Sequence, residues 1–124
     1  MRVDSVTLRV IPLDGGAVLV RPRALDCRTA AEIRERLLIL LNRGAKEVVL
    51  DVSDRNVCAC CGVPAIVRAH RRARALGGEL VVVMPEGSPA RAALEEACLY
   101  EPESLPVLSE APAAPLSAGP AMSA

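Results

Sequence analysis

The run Glu47-Val48-Val49-Leu50-Asp51-Val52, followed after a short loop by Asn56-Val57-Cys58-Ala59-Cys60-Cys61-Gly62-Val63, decides how this chain is read. Its first part is a continuous apolar run ending in an acid, the pattern of a central strand buried on both faces. Its second part holds three of the five cysteines within four residues, then a glycine. A helix is expected from about Cys61 to Leu76, with Pro64 in the first turn, where a missing amide costs nothing. Val63, Ile66, Ala69, Ala73 and Leu76 fall on one face of it. A strand-to-helix turn containing glycine is where a small α/β domain keeps its working surface. Arg68, Arg71, Arg72 and Arg74 lie on the opposite side, as a solvated face or as a basic contact patch for an acidic partner. His70, the only histidine, reads as a surface residue beside them.

Upstream, Thr7 to Ile11 and Ala17 to Val20 read as two strands joined at Leu13-Asp14-Gly15-Gly16, a turn whose glycines accept positive φ. A first helix starts between Asp26 and Thr29. Thr29-Ala30-Ala31-Glu32 has the form of a capping box, in which the threonine hydroxyl takes the amide three residues on. Ile33, Leu37, Leu40 and Leu41 make its apolar face, and Gly44 stops it. Leu38 and Ile39 widen that face, which fits a helix packed on two sides or a self-association surface. Downstream, Gly77-Gly78 ends the second helix, and Glu79 to Met84 is another buried strand. Ser88-Pro89 opens a third helix that runs to about Cys98. Leu105 to Leu108 is a short edge strand limited by Pro106. The order β-β-α-β-α-β-α-β describes one α/β domain over residues 1–109. Its sheet is mixed: an opening antiparallel hairpin, then parallel central strands alternating with helices. Residues 110–124 are Ala, Pro and Ser with too little apolar bulk to fold, and a disordered tail is expected.

Composition narrows the function. Of the 124 residues, fifteen are basic and fifteen acidic, and Tyr100 is the single aromatic. A balanced charge recruits neither nucleic acid nor an anionic membrane, and aromatic stacking platforms for bases are missing. No run approaches the roughly 20 apolar residues of a membrane span, and the first residues do not form a secretory signal. The expected location is cytoplasmic, where cysteines stay reduced. There is no Ser-His-Asp set, no glycine-rich phosphate loop and no pair of acids with a clear site, so no enzyme and no cofactor are expected.

Several residue groups resemble the STAS domain family, whose best-known members are bacterial anti-sigma factor antagonists. Arg23-Ala24-Leu25-Asp26 with Thr29-Ala30 is similar to the family's Gly-Glu-Leu-Asp…Thr-Ala segment. Val48-Val49-Leu50-Asp51-Val52 resembles its central strand. Val57-Cys58-Ala59-Cys60-Cys61-Gly62-Val63 stands where the family has Phe-hydrophobic-Asp-Ser-Ser-Gly-Leu. Arg71-Arg72-Ala73-Arg74-Ala75-Leu76-Gly77-Gly78-Glu79-Leu80 resembles the end of its second helix. The resemblance covers residues 6–108. It implies a protein-binding switch whose partner is an anti-sigma factor or a serine kinase-like protein. In the family that kinase phosphorylates the first serine of Asp-Ser-Ser-Gly, which breaks the complex. Here Cys60 takes the acceptor's place, Cys61 that of the next serine and Ala59 that of the aspartate. A thiol is no substrate for serine phosphorylation. Asp26, Ala59, Cys60, Cys61, Gly62, Arg68 and Arg71 are the partner-contact candidates that follow.

Two other readings concern the cysteines. As a thiol redox sensor, the chain would use Cys60 or Cys61, whose thiol the helix N-terminus acidifies, with Cys58 as the resolving partner. As a metal site, Cys58, Cys60 and Cys61 lack the two-to-four-residue gaps of a zinc knuckle and have no second Cys/His pair, so no metal is expected. The plain reading is that small thiols replace serines of a lost switch. Cys27 and Cys98 are expected in the core. A second copy of the chain, or a larger assembly that uses the first helix, is the remaining partner class.

Overall fold

The expected alternation of strands and helices is realised as one mixed sheet. The computed structural model describes residues 3–4, 8–53 and 57–110. Thr7, with which the first expected strand began, and Asn56 lie outside the described residues, as does the expected tail beyond Glu110. The elements are β1 (Val3–Asp4), β2 (Leu8–Pro12), β3 (Ala17–Pro22), α1 (Ala30–Asn42), β4 (Glu47–Asp51), α2 (Gly62–Ala75), β5 (Glu79–Val83), α3 (Pro89–Cys98) and β6 (Val107–Leu108). Among the described residues the strands lie side by side in sequence order. β1–β2 and β2–β3 are antiparallel, and β3 through β6 are parallel. The two-residue β1 carries too little pattern to be read from sequence.

The hairpin turns on Asp14–Gly16, where Gly15 and Gly16 have φ of 74° and 80° and Leu13 N–H closes onto the Ala17 carbonyl at 2.8 Å. Each of β3, β4 and β5 is followed by a helix that returns to start the next strand alongside. Successive crossovers of one hand, all stepping in the same direction, put their helices on one face of the sheet. The burial agrees. Val48, Leu50, Leu80 and Val82 form the main core with Ile33 and Leu37 of α1, Ile66 and Ala69 of α2 and Leu94 of α3. The alternate strand residues Val49, Val81 and Val83 make a small cluster on the other face. β4 is buried at every position, as a central strand should be.

Several local expectations fail for physical reasons. Thr29 precedes α1 but makes no side-chain cap bond to it. Its hydroxyl instead donates to the Ala24 carbonyl at 2.8 Å and accepts the Asp26 amide at 3.1 Å. Asp26 closes the turn that precedes α1: its Oδ1 accepts the Arg28 amide at 2.9 Å and the Thr29 amide at 3.1 Å. With its hydroxyl engaged in that turn, Thr29 has no free acceptor aimed at the first turn of α1.

His70 is not a surface residue. It is 1 % exposed, with Nε2 2.9 Å from the Glu103 carbonyl oxygen. The chain after α3 folds back over α2 and covers the side that periodicity alone leaves to solvent. The same return pairs off the arginines: Arg71 makes a two-pronged contact with Glu101 at 2.8 and 2.7 Å, and Arg74 reaches Glu103 at 3.2 Å. Cys98 is half-buried against the main core as expected, and its burial, with Glu101 nearby, pushes its thiol pKa up.

Candidate functional site

Because β3 and β4 are adjacent and parallel, the loops that leave their C-terminal ends emerge side by side. This is the position at which open α/β sheets carry their sites. Residues 23–29 lead from β3 to α1, and residues 52–61 lead from β4 to α2. The pairing continues past the strands in a single parallel bridge between Leu25 and Val57, and Cys58 N–H donates to the Leu25 carbonyl at 2.8 Å. Gly62 closes the junction. A Cβ there would stand 3.0 Å from the Leu25 carbonyl oxygen and 3.0 Å from Val57 Cγ1. Absence of a side chain thus lets the start of α2 press against the β3–α1 loop. The family-like glycine has a packing reason.

At the base of the site Asp51 ends β4, 5 % exposed. Burial pushes its carboxyl pKa up, but the Ser53 hydroxyl at 2.6 Å, the Ser53 amide at 3.1 Å and the Arg21 guanidinium at 3.1 Å together hold it below the usual range. This cluster fixes the first turn of the β4–α2 loop. Both carboxylate oxygens of Asp51 are engaged in it.

The residues singled out by sequence divide into two sets. Ala59 and Cys60 are exposed at the tip of the turn, Cys61 is half-buried, and Gly62 is buried beneath them. Asp26 lies in the facing loop, with its carboxylate engaged in the turn that precedes α1. Arg68 is exposed one and a half turns along α2 and lines an open groove of about 640 Å³ between α1 and α2, together with Cys61, Pro64 and Arg34. Arg71 borders the same groove, but its guanidinium is held by Glu101. Arg34 was missed by sequence reading because nothing in the sequence sets it apart from its charged neighbours Glu35 and Arg36.

The cysteines depart most from expectation. Cys27 is exposed rather than in the core, and it is disulfide-bonded to Cys61 across 34 residues of sequence, with Cα atoms 5.1 Å apart. That spacing is ordinary for a bridge. The expectation of five reduced thiols is corrected accordingly. Cys58 and Cys60 are free, with sulfurs 2.9 Å apart. A turn, rather than an extended strand, brings them to one side. The hydrogen bond from Cys60, helped by the Cys61 and Cys60 amides, pulls the Cys58 thiol pKa down. The same partnership pushes that of Cys60 up. Of the two free thiols the more acidic is therefore Cys58, not Cys60, while Cys61 is held in the disulfide. All four sulfurs, of Cys27, Cys58, Cys60 and Cys61, fall within 4.8 Å of one another. The signal for Cys27 was its position one residue after Leu25-Asp26, in the loop that a parallel β3–β4 pair must place beside the cluster.

One sheet, helices on its main-core face and an exposed turn into α2 define a small α/β domain of the anti-sigma factor antagonist-like fold. The chain belongs to the STAS domain family, whose model matches residues 8–101. Among solved structures it is similar to the anti-sigma factor antagonist SpoIIAA in its unphosphorylated form. Identity is 14 %, the match covers 84 % of this chain and 89 % of that one, and the TM-score is 0.65. A candidate anti-sigma factor antagonist from Thermotoga maritima matches with 17 % identity over 80 % of this chain and 84 % of that one, at a TM-score of 0.63. At such identities the likeness is one of fold. Among the described residues no helix is long and apolar enough to cross a membrane.

Proposed function

We propose that the chain is a divergent anti-sigma factor antagonist-like module, a non-enzymatic protein-binding domain that acts in bacterial transcription regulation by partner switching. Its partner on this reading is an anti-sigma factor or a serine kinase-like protein, met in the cytoplasm. The observation that carries the reading is the exposed Ala59–Cys60 turn at the start of α2, in a chain of this family and fold. The groove beside that turn, lined by Arg34 and Arg68, suits an acidic segment of the partner. Cys60 and Ala59 stand where the family resemblance places the phosphoacceptor and its preceding acid, so the complex is not released by phosphate transfer.

The test is a titration of the chain with an anti-sigma serine kinase from the same cell, with and without ATP. Binding that ATP does not weaken, with no phosphate on the chain, is expected. Cys60→Ser should accept phosphate only partly, because Ala59 supplies no acid, and Ala59→Asp with Cys60→Ser should accept more. Failure to bind at concentrations where related antagonists do would sink the proposal.

A second reading rests on the Cys27–Cys61 disulfide beside the Cys58–Cys60 pair. In it, peroxide takes two electrons and the two thiol protons from Cys27 and Cys61 and leaves as two waters as their S–S bond forms. That locks the two loops at the contact surface. Equal partner binding by the oxidised and reduced chain would rule this out.

A further inference from the structure

Two loops distant in sequence deliver four sulfurs to one point. Cys27 comes from the β3–α1 loop and Cys58, Cys60 and Cys61 from the β4–α2 loop. A thiolate on zinc stands about 2.3 Å from the ion, which at tetrahedral angles puts neighbouring sulfurs about 3.8 Å apart. Three of the separations already have that value: Cys27–Cys58 at 3.8 Å, Cys27–Cys60 at 3.7 Å and Cys60–Cys61 at 3.8 Å. The two short ones are Cys58–Cys60 at 2.9 Å and the bonded pair Cys27–Cys61. These two pairs share no cysteine, so they are opposite edges of the four-sulfur figure, whose sixth edge, Cys58–Cys61, lies within 4.8 Å. Opening the disulfide frees one edge to lengthen, and side-chain rotation lengthens the other.

We propose that the reduced chain binds a single thiophilic ion, zinc foremost, through Cys27, Cys58, Cys60 and Cys61. The ligands are held in place by backbone rather than by their own sulfurs. Cys58 N–H donates to the Leu25 carbonyl, Gly62 N–H donates to the Cys58 carbonyl at 2.6 Å, and the Leu25–Val57 bridge ties the loops. Reduction therefore leaves the four Cβ atoms near their present positions. An all-sulfur set selects a soft ion over magnesium or calcium, which take oxygen ligands. Sulfurs confined within 4.8 Å surround one ion, whereas the thiolates of an iron–sulfur cluster are spread around several irons. Four thiolates leave a zinc site with net negative charge, and Arg34 and Arg68 line the groove that Cys61 also borders.

A phosphine reductant gives two electrons to the Cys27–Cys61 bond and is itself oxidised to phosphine oxide with oxygen from water, and two thiols form. The ion then displaces the thiol protons to solvent as it binds. The bridge and the metal compete for the same two sulfurs, so one chain holds one or the other.

The test uses the full chain, reduced with a phosphine in the absence of air and titrated with cobalt(II) as a spectroscopic stand-in for zinc. One cobalt per chain is expected, with sulfur-to-cobalt charge-transfer bands and the intense visible bands of tetrahedral coordination, all bleached by one equivalent of zinc. Cys58→Ser and Cys60→Ser, which leave the Cys27–Cys61 pair intact for folding, should each weaken cobalt binding more than about tenfold. Cys98→Ser should leave it unchanged. The proposal is overturned if stoichiometric cobalt gives no thiolate charge transfer, or if Cys58→Ser and Cys60→Ser bind as tightly as the unaltered chain. Metal binding stands or falls apart from partner switching: a chain that takes cobalt but no kinase refutes only the latter.

Discussion

A methyl group on Gly62 would meet the Leu25 carbonyl oxygen and Val57 Cγ1 at 3.0 Å and Leu25 Cγ at 3.1 Å. Two of these neighbours belong to a loop pinned by backbone hydrogen bonds, and the oxygen is itself backbone, so none is a flexible side-chain end that can swing away. Gly62→Ala should therefore separate the β3–α1 loop from the start of α2 and destabilise the chain by about 1–3 kcal/mol, the usual range for overpacking. Urea denaturation measures this directly, and an unchanged midpoint would show that the two loops yield freely. The glycine was visible in sequence as a turn residue. Its actual reason, close approach of a distant loop, was not, because it depends on which loop lies opposite. The cysteines teach the same point. Cys58, Cys60 and Cys61 are neighbours in sequence and were read together, whereas Cys27 joins them only through the parallel pairing of β3 with β4. Thr29 was misassigned for a more local reason: its hydroxyl turns back to the Ala24 carbonyl and the Asp26 amide, and so is not free to take the amide three residues on.

β4 and the elements on either side carried the clearest sequence signal, and Asp51 is where that signal meets energetics. Unbroken apolar character from Val48 to Leu50 can persist only where both faces are covered, which places β4 in the middle of the sheet. Asp51, at its end, is buried with Arg21 of β3 and Ser53 as partners. Its folded-state pKa is depressed, so its contribution to stability is fully present above the unfolded value of about 4 and is lost as pH falls through the lower folded value. The expected result is a stability difference between the native chain and Asp51→Asn that is largest near neutral pH and narrows below about pH 4. Denaturation midpoints across that range check it, and a difference that stays constant into acid would refute the charged role. α2 was legible on its buried stripe as far as Ala73, but Leu76, read as the last member of that stripe, is 45 % exposed just past the helix end, and the other side was not legible. An amphipathic pattern shows which residues can be covered by the sheet, but His70 is covered by the chain after α3, a contact with no periodic signature.

That returning segment also bears on where the folded unit ends. Residues 101–109 tie α2 to the far edge of the sheet. Glu101 holds Arg71, Glu103 holds Arg74 and His70, and Leu105 is buried at 9 % exposure in the main core. β6 then adds to β5, with Val82 N–H on the Pro106 carbonyl at 3.0 Å and Met84 N–H on the Leu108 carbonyl at 2.8 Å. Pro106 gives a carbonyl here and is asked for no amide, which is how a proline-limited edge strand survives. Ser109 accepts from Arg91 at 3.0 Å, the last such tie before Glu110. If the domain closes at that point, a chain ended after Glu110 should unfold at the same urea concentration as the full one. A chain ended after Tyr100 loses the burial of Leu105, worth about 1.5–3 kcal/mol. It also uncovers the β5 edge and leaves buried His70 without its carbonyl partner, so its midpoint should fall steeply. The pair of truncations is decisive because the expected outcomes are far apart, no change against a large loss. A marked loss in the longer one would show that residues past Glu110 belong to the folded unit.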